Sequence, residues 1–124
     1  GNVYFKNQNC TEAIKCYSTS IDQSPTAVAY GDRAMAHIKL NKFIEAEKDC
    51  TEALRIDENY FKAYARRAMA RAQLGGNLKG ALEDVEVALK TDPTNIDMRQ
   101  LHAELREMLG YHGNAPTGSL AIEQ

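Results

Sequence analysis

Small and apolar residues recur along this chain at two periods at once. Within 10–25, 43–58 and 78–93 they follow the 3.6-residue period of an amphipathic helix. Between those stretches the same residue types return after 33 and then 35 residues. Ala13, Ala46 and Ala81 form one such set, and Tyr17, Cys50 and Val85 the next. Ser20, Ala53 and Ala88 then align, followed by Ile21, Leu54 and Leu89. The longer second interval is one extra residue in the Gly75-Gly76 turn. This is an internal repeat of about 34 residues, the length of a two-helix unit.

The pattern predicts a helix over 1–8 and further helices near 10–23, 26–40, 43–56, 60–74, 78–91 and 95–109. Pro25 and Pro93 stand where one repeat hands over to the next, a place that suits the first turn of a helix. The second repeat has Glu58 there. In the last helix Met98, Leu101, Leu105, Met108 and Leu109 fall at helical spacing, and Ile96 sits at its first turn. Such a helix covers the open end of a solenoid. Residues 111–124 (YHGNAPTGSLAIEQ) have Gly, Pro and no periodicity, and read as a disordered tail. Tyr4 and Phe5 read as the middle of a helix, so the sequence is expected to be a fragment lacking that helix's start. With three Pro, eight Gly and few β-branched residues, the chain is all-α. Its 124 residues suit one domain, over 1–110, with repeats at 1–25, 26–58 and 59–93 and a capping helix at 95–109.

Charge is distributed unevenly over this frame. Phe61–Leu74 (FKAYARRAMARAQL) carries Lys62, Arg66, Arg67 and Arg71 and no acid, whereas in the rest of the chain 17 acids face 11 bases. Lys62 and Arg66 are four apart and share a helix face, where they repel by a few tenths of a kcal/mol. A fold has no need of that arrangement; a surface that receives an anion does. The formal net charge of −2 does not suggest nucleic acid as a partner. No apolar run approaches membrane-spanning length, and no signal peptide is visible. Cys10, Cys16 and Cys50 are an odd set without CxxC spacing and read as reduced thiols of a cytoplasmic protein. Cys10 and Cys50 occupy apolar repeat positions, and Cys16 lies nearer the surface. Neither His102 nor His112 shows metal-ligand spacing with the cysteines, so no metal and no cofactor is expected. No Ser/His/Asp or Cys/His constellation and no phosphate-binding Gly loop marks an enzyme.

Several segments go beyond a generic repeat: Gly1-Asn2 followed by Tyr4-Phe5-Lys6, DRAMAHIKL (32–40), EAEKDCTEAL (45–54) and KAYARRAMA (62–70). Together they resemble the carboxylate-clamp tetratricopeptide repeat (TPR) domains of cytosolic co-chaperones, over roughly residues 1–110. The resemblance implies a right-handed superhelix of three helix pairs plus a C-terminal capping helix. It also implies a concave groove that grips the Glu-Glu-Val-Asp tail of heat-shock protein 90 or 70. In that family the clamp draws a Lys and an Asn from the first inner helix, an Asn from the second, and a Lys and an Arg from the third. Asn2, Lys62 and Arg66 match three of those five. The first Lys would lie three residues before Gly1. The second Asn is replaced by Asp32, and an ionised Asp repels a carboxylate that Asn can donate to.

The residue types suit the task. A chain terminus presents two nearby carboxylates; Lys meets them as a point charge and Arg as a planar fork. Lys6, one turn after Asn2, and Lys39, two turns after Asp32, are further candidates for the groove or ordinary surface lysines. Asp32 either redirects ligand choice or forms an ion pair with Arg33 or a lysine. Arg67 is expected to pack its stem on the next helix and pair with an acid; Arg71 reads either way. His37 stands where the repeat usually has an aromatic residue and reads as core filling. Two other functions remain open: a scaffold whose groove binds a different peptide or helix, and a targeting module of a larger catalytic protein. A monomer is expected, with self-association through the truncated first helix as the alternative.

Overall fold

The computed structural model describes the backbone of Asn2–Gly110 and the side chains from Asn7 onward. Six helices follow one another: α1 (Asn2–Gln23), α2 (Ala27–Lys39), α3 (Phe43–Ile56), α4 (Lys62–Leu74), α5 (Leu78–Thr91) and α6 (Ile96–Met108). No strand occurs among the described residues.

Turn chemistry sets the boundaries. The Thr26 hydroxyl caps α2 by accepting from the Ala29 amide at 3.1 Å. The Asn77 and Asn95 side chains cap α5 and α6 in the same way, at 3.0 and 3.1 Å. Asn41 (φ 60°) and Gly75 (φ 80°) take the left-handed conformation that folds each helix back on its partner. The prolines precede these caps instead of entering the helices: Pro25 lies just before Thr26, and Pro93 two residues before Asn95.

The first pair departs from the expectation of separate helices at 1–8 and 10–23. Residues 2–23 form one uninterrupted helix. Gln8 stands 33 residues before Asn41 and so occupies the turn position, but it lacks the tolerance of Asn or Gly for positive φ. The backbone stays helical: the Thr11 hydroxyl donates to the Asn7 carbonyl at 2.9 Å, and the Gln8 amide reaches Glu12 at 3.3 Å. Among the described residues there are thus two helix pairs, flanked by single helices. The first-repeat positions feel the loss. Ala46 and Ala81 are fully buried, whereas Ala13 is half-buried, and Ser20 is exposed where Ala53 and Ala88 are buried.

Each helix packs on its sequence neighbours, and α2, α4 and α6 also touch in succession. Those three form an inner row, with α1, α3 and α5 outside it. Alanine allows the close approach: Ala34, Ala46, Ala53, Ala63, Ala68 and Ala81 have no exposed surface. One core lies around Cys50 between α2, α3 and α4, and the next around Val85, Met98 and Leu105 between α4, α5 and α6. Burial raises the Cys50 thiol pKa to about 12, so this cysteine is a packing residue.

Two ion-pair clusters bolt the pairs together at repeat spacing. Arg33 of α2 grips Asp49 of α3 through two bonds of 2.8 Å, with Ser18 of α1 accepting a third at 3.0 Å. Arg67 of α4 grips Asp84 of α5 at 2.8 and 2.9 Å, with Thr51 of α3 accepting at 3.3 Å. Tyr30 and Tyr64 lie under the respective guanidinium groups. Asp49 and Asp84 are buried, and each is satisfied by a bidentate arginine. Arg71 joins the second cluster, binding Glu47 at 2.7 Å and Asp84 at 3.1 Å. Its counterpart one repeat earlier is His37. The Nε2 of His37 lies 3.6 Å from Asp49, while its buried Nδ1 has no hydrogen-bond partner. Burial lowers the His37 pKa despite the pull of Asp49.

Candidate functional site

The inner row holds two adjoining hollows. One, of about 400 Å³, lies between α4 and α6; Met35, Ala65, Met69 and Met98 give it an apolar floor, with Lys62 and Arg66 along one side. Asp92 and Asp97 line its other side. The second, of about 240 Å³, lies between α1, α2 and α4 and is lined by Asp32, Lys39 and Arg66 together with Asn9, Ala13 and Tyr17. Arg66 and Met35 border both, so the hollows form one groove with Arg66 at its middle.

Helix α4 delivers its two cations differently. Lys62 is its first residue, exposed, with no ion-pair partner among the described residues. Its position at a helix N-terminus is the less favourable end for a cation, since the helix dipole is positive there. The same dipole favours an anion, so the ammonium and the helix end act together on an incoming carboxylate.

Arg66, one turn on, is seated rather than free. Its Nη1 donates to the Gly31 carbonyl at 2.8 Å and lies 3.4 Å from Asp32 Oδ1. Its guanidinium also pulls down the Tyr60 phenol pKa against the larger upward push of burial. The Tyr60 ring lies directly against Gly31, where any Cβ would collide with it. Gly31 therefore does two things: it makes room for the ring, and its carbonyl anchors the arginine.

This geometry sorts the sequence-predicted residues. Lys62, Arg66, Asp32 and Lys39 come together along one groove. Among the described residues the ion-pair partner of Asp32 is Arg66, while Arg33 is taken up by Asp49. Arg66 is consequently partly neutralised, whereas the groove lysines Lys62 and Lys39 have no ion pair among the described residues. Arg67 and Arg71 turn to buried and half-buried acids of α3 and α5. The side chains of Asn2 and Lys6 lie outside the described residues, as do His112 and the whole 111–124 segment. Sequence reasoning missed the Gly31–Tyr60 seat for Arg66, which has no one-dimensional signal. It also missed the Arg33–Asp49 and Arg67–Asp84 pairs as a set, although their recurrence at 34 and 35 residues was legible. No group of three or more His, Cys, Asp or Glu that could hold a metal ion occurs among the described residues.

Comparison with known proteins agrees with this architecture. The tetratricopeptide repeat family model matches residues 27–60. RNA polymerase II-associated protein 3 of Xenopus laevis is 43% identical over 110 residues, covering 85% of this chain and 16% of the relative. Human serine/threonine-protein phosphatase 5 is 34% identical over 109 residues, covering 87% of this chain and 22% of that enzyme. The chain thus spans about a fifth or less of these relatives' length. Among solved structures, the first TPR of Spaghetti (RPAP3) bound to the HSP90 peptide SRMEEVD superimposes with a TM-score of 0.79. It is 37% identical, and the match covers 89% of this chain and 87% of that one. The second TPR domain of human RPAP3, in complex with the HSP70 peptide SGPTIEEVD, gives a TM-score of 0.74 at 39% identity, covering 86% and 88%. Repeat spacing, paired helices and these likenesses converge: the chain belongs to the tetratricopeptide repeat family.

Proposed function

We propose that this chain is a protein-binding module that takes the acidic C-terminal tail of heat-shock protein 90 or 70 and serves a co-chaperone as its adaptor. The observation that carries the reading is Lys62: a cation with no ion pair among the described residues, at a helix N-terminus, one turn from Arg66, on the rim of an apolar groove. An acidic tail ending in an apolar residue and a carboxylate matches that combination. Charge-assisted bonds to Lys62 and Arg66 contribute about 1.5–3 kcal/mol each, and the methionine floor adds apolar contact. Two such bonds give a modest, exchangeable affinity. The acidic rim at Asp92 and Asp97 orients the ligand, since its negative end is drawn to α4 and away from the start of α6. The RPAP3 domains, solved with peptides of this kind, support the reading. Asn2 would complete the clamp from the first helix. In this reading the module works in the cytoplasm as a monomer and without catalysis of its own.

Titration of a Glu-Glu-Val-Asp peptide by calorimetry tests it. Binding that is weakened both by Lys62→Ala and by salt is the expected result; no binding, or binding indifferent to Lys62, overturns it. A second reading, in which the module targets a fused catalytic domain, is favoured by the 34% identity to a phosphatase. Sequencing the parent transcript decides between the two.

A further inference from the structure

We infer that Asp32 is a specificity-determining residue of this groove, one that relaxes its demand for a free chain terminus. The inference rests on the peptide-binding reading above and extends it to the class of ligand taken. The geometry is direct. Asp32 Oδ1 lies 3.4 Å from Arg66 Nη1, and the same nitrogen already donates at 2.8 Å to the Gly31 carbonyl. Part of the donor capacity of Arg66 is therefore committed within the protein, and a negative charge stands beside it. Both side chains line the hollow between α1, α2 and α4, so whatever lies against Arg66 there also meets Asp32.

Charge decides what that can be. Lys62, Arg66 and Lys39 bring three positive charges to the groove; Asp92 and Asp97 set two negative charges on its far rim, and Asp32 sets a third directly beside Arg66. A terminal main-chain carboxylate beside Asp32 is repelled at close range. A neutral group there is not: a backbone amide or a carboxamide donates to Asp32 while its carbonyl accepts from Arg66. Lys62 lies one helical turn away, carries no such neighbour among the described residues and remains able to take an acidic side chain. The ligand class that fits is an acidic segment whose Asp or Glu side chain reaches Lys62 and whose neutral peptide unit lies against Asp32 and Arg66. The end of a chain is one case of it, and an acidic stretch within a chain is another.

The test uses one acidic peptide in two forms, with a free and with an amidated C-terminus. Both are titrated against the unaltered protein, Asp32→Asn and Asp32→Ala. The readout is the ratio of the two dissociation constants, amidated over free. In the unaltered protein the two forms are expected to bind within about threefold of each other, and in both variants the ratio is expected to rise roughly fivefold to tenfold. A rise in the Asn variant alone would assign the effect to a gained donor and overturn the charge argument. An unchanged ratio in both variants overturns the inference while leaving the peptide-binding reading standing. Failure of every protein to bind either peptide overturns both. Thermal unfolding of the variants guards against a folding artefact, and Asp32 is sufficiently exposed for both to remain folded.

Discussion

Arg66 and Asp32, 34 residues apart in sequence, meet at 3.4 Å in the middle of the groove, and the arginine is anchored to the carbonyl next door to its partner. Lys62 has no such ties among the described residues. The two cations of one helix face thus differ in what they hold.

Lys62→Ala should weaken peptide binding by roughly 1–3 kcal/mol and leave the melting temperature unchanged. Arg66→Ala should weaken binding and lower stability together, because the Gly31 carbonyl and Asp32 lose their partner. Calorimetric titration beside thermal unfolding checks both, and equal melting temperatures for the two variants would contradict the distinction. Raising the salt concentration should reduce the affinity of the unaltered protein.

Asp84 accepts from both Arg67 and Arg71 and is buried. Asp84→Ala leaves two arginines without their shared carboxylate, and removing one partner of a buried pair costs about 3–5 kcal/mol. Chemical denaturation should show a loss of that size. Asp49→Ala should act similarly through Arg33, with His37 losing the carboxylate 3.6 Å from its Nε2 as well. Were both substitutions to cost less than 1 kcal/mol, the ion pairs would not be what joins α2 to α3 and α4 to α5.

Gly31→Ala places a methyl group against the Tyr60 ring. In a helix interior that exchange is worth about 0.5–1 kcal/mol in favour of Ala, whereas forcing the ring aside costs about 1–3 kcal/mol. Net destabilisation is expected, with weaker peptide binding because the seat of Arg66 shifts. Tyr60→Ala in the same background should recover part of the Gly31→Ala loss in a double-mutant cycle.

Partial burial favours the neutral form of His37, so its pKa in the folded protein lies below the usual 6.5. The unfolded chain therefore takes up more protons as pH falls through 6.5. Stability contributed by neutral His37 is present above that value and declines until pH passes the lowered folded value. Denaturant midpoints measured from pH 8 to pH 5 should fall, and His37→Gln should flatten the decline. A His37→Gln profile parallel to that of the unaltered protein would rule this group out as the cause.

Much of this was legible before any coordinates. The recurrence of Ala13, Ala46 and Ala81 dictated stacked helices, because helices approach closely only where side chains are small. The acid-free run at 61–74 marked the inner helix that carries the cations, although two of the four, Arg67 and Arg71, serve the fold through acids of α3 and α5. Local turn chemistry was legible too at Gly75, but at Gln8 it was misjudged. The repeat pattern called for a turn there; with Gln at the turn position the backbone keeps helical geometry, and α1 runs uninterrupted. What only the tertiary structure decided is how the charges are shared out. Arg33, Arg66, Arg67 and Arg71 are alike as letters. Which carboxylate each meets depends on packing between residues 13 to 34 apart in sequence, and at those separations spacing along the chain says nothing about distance in space.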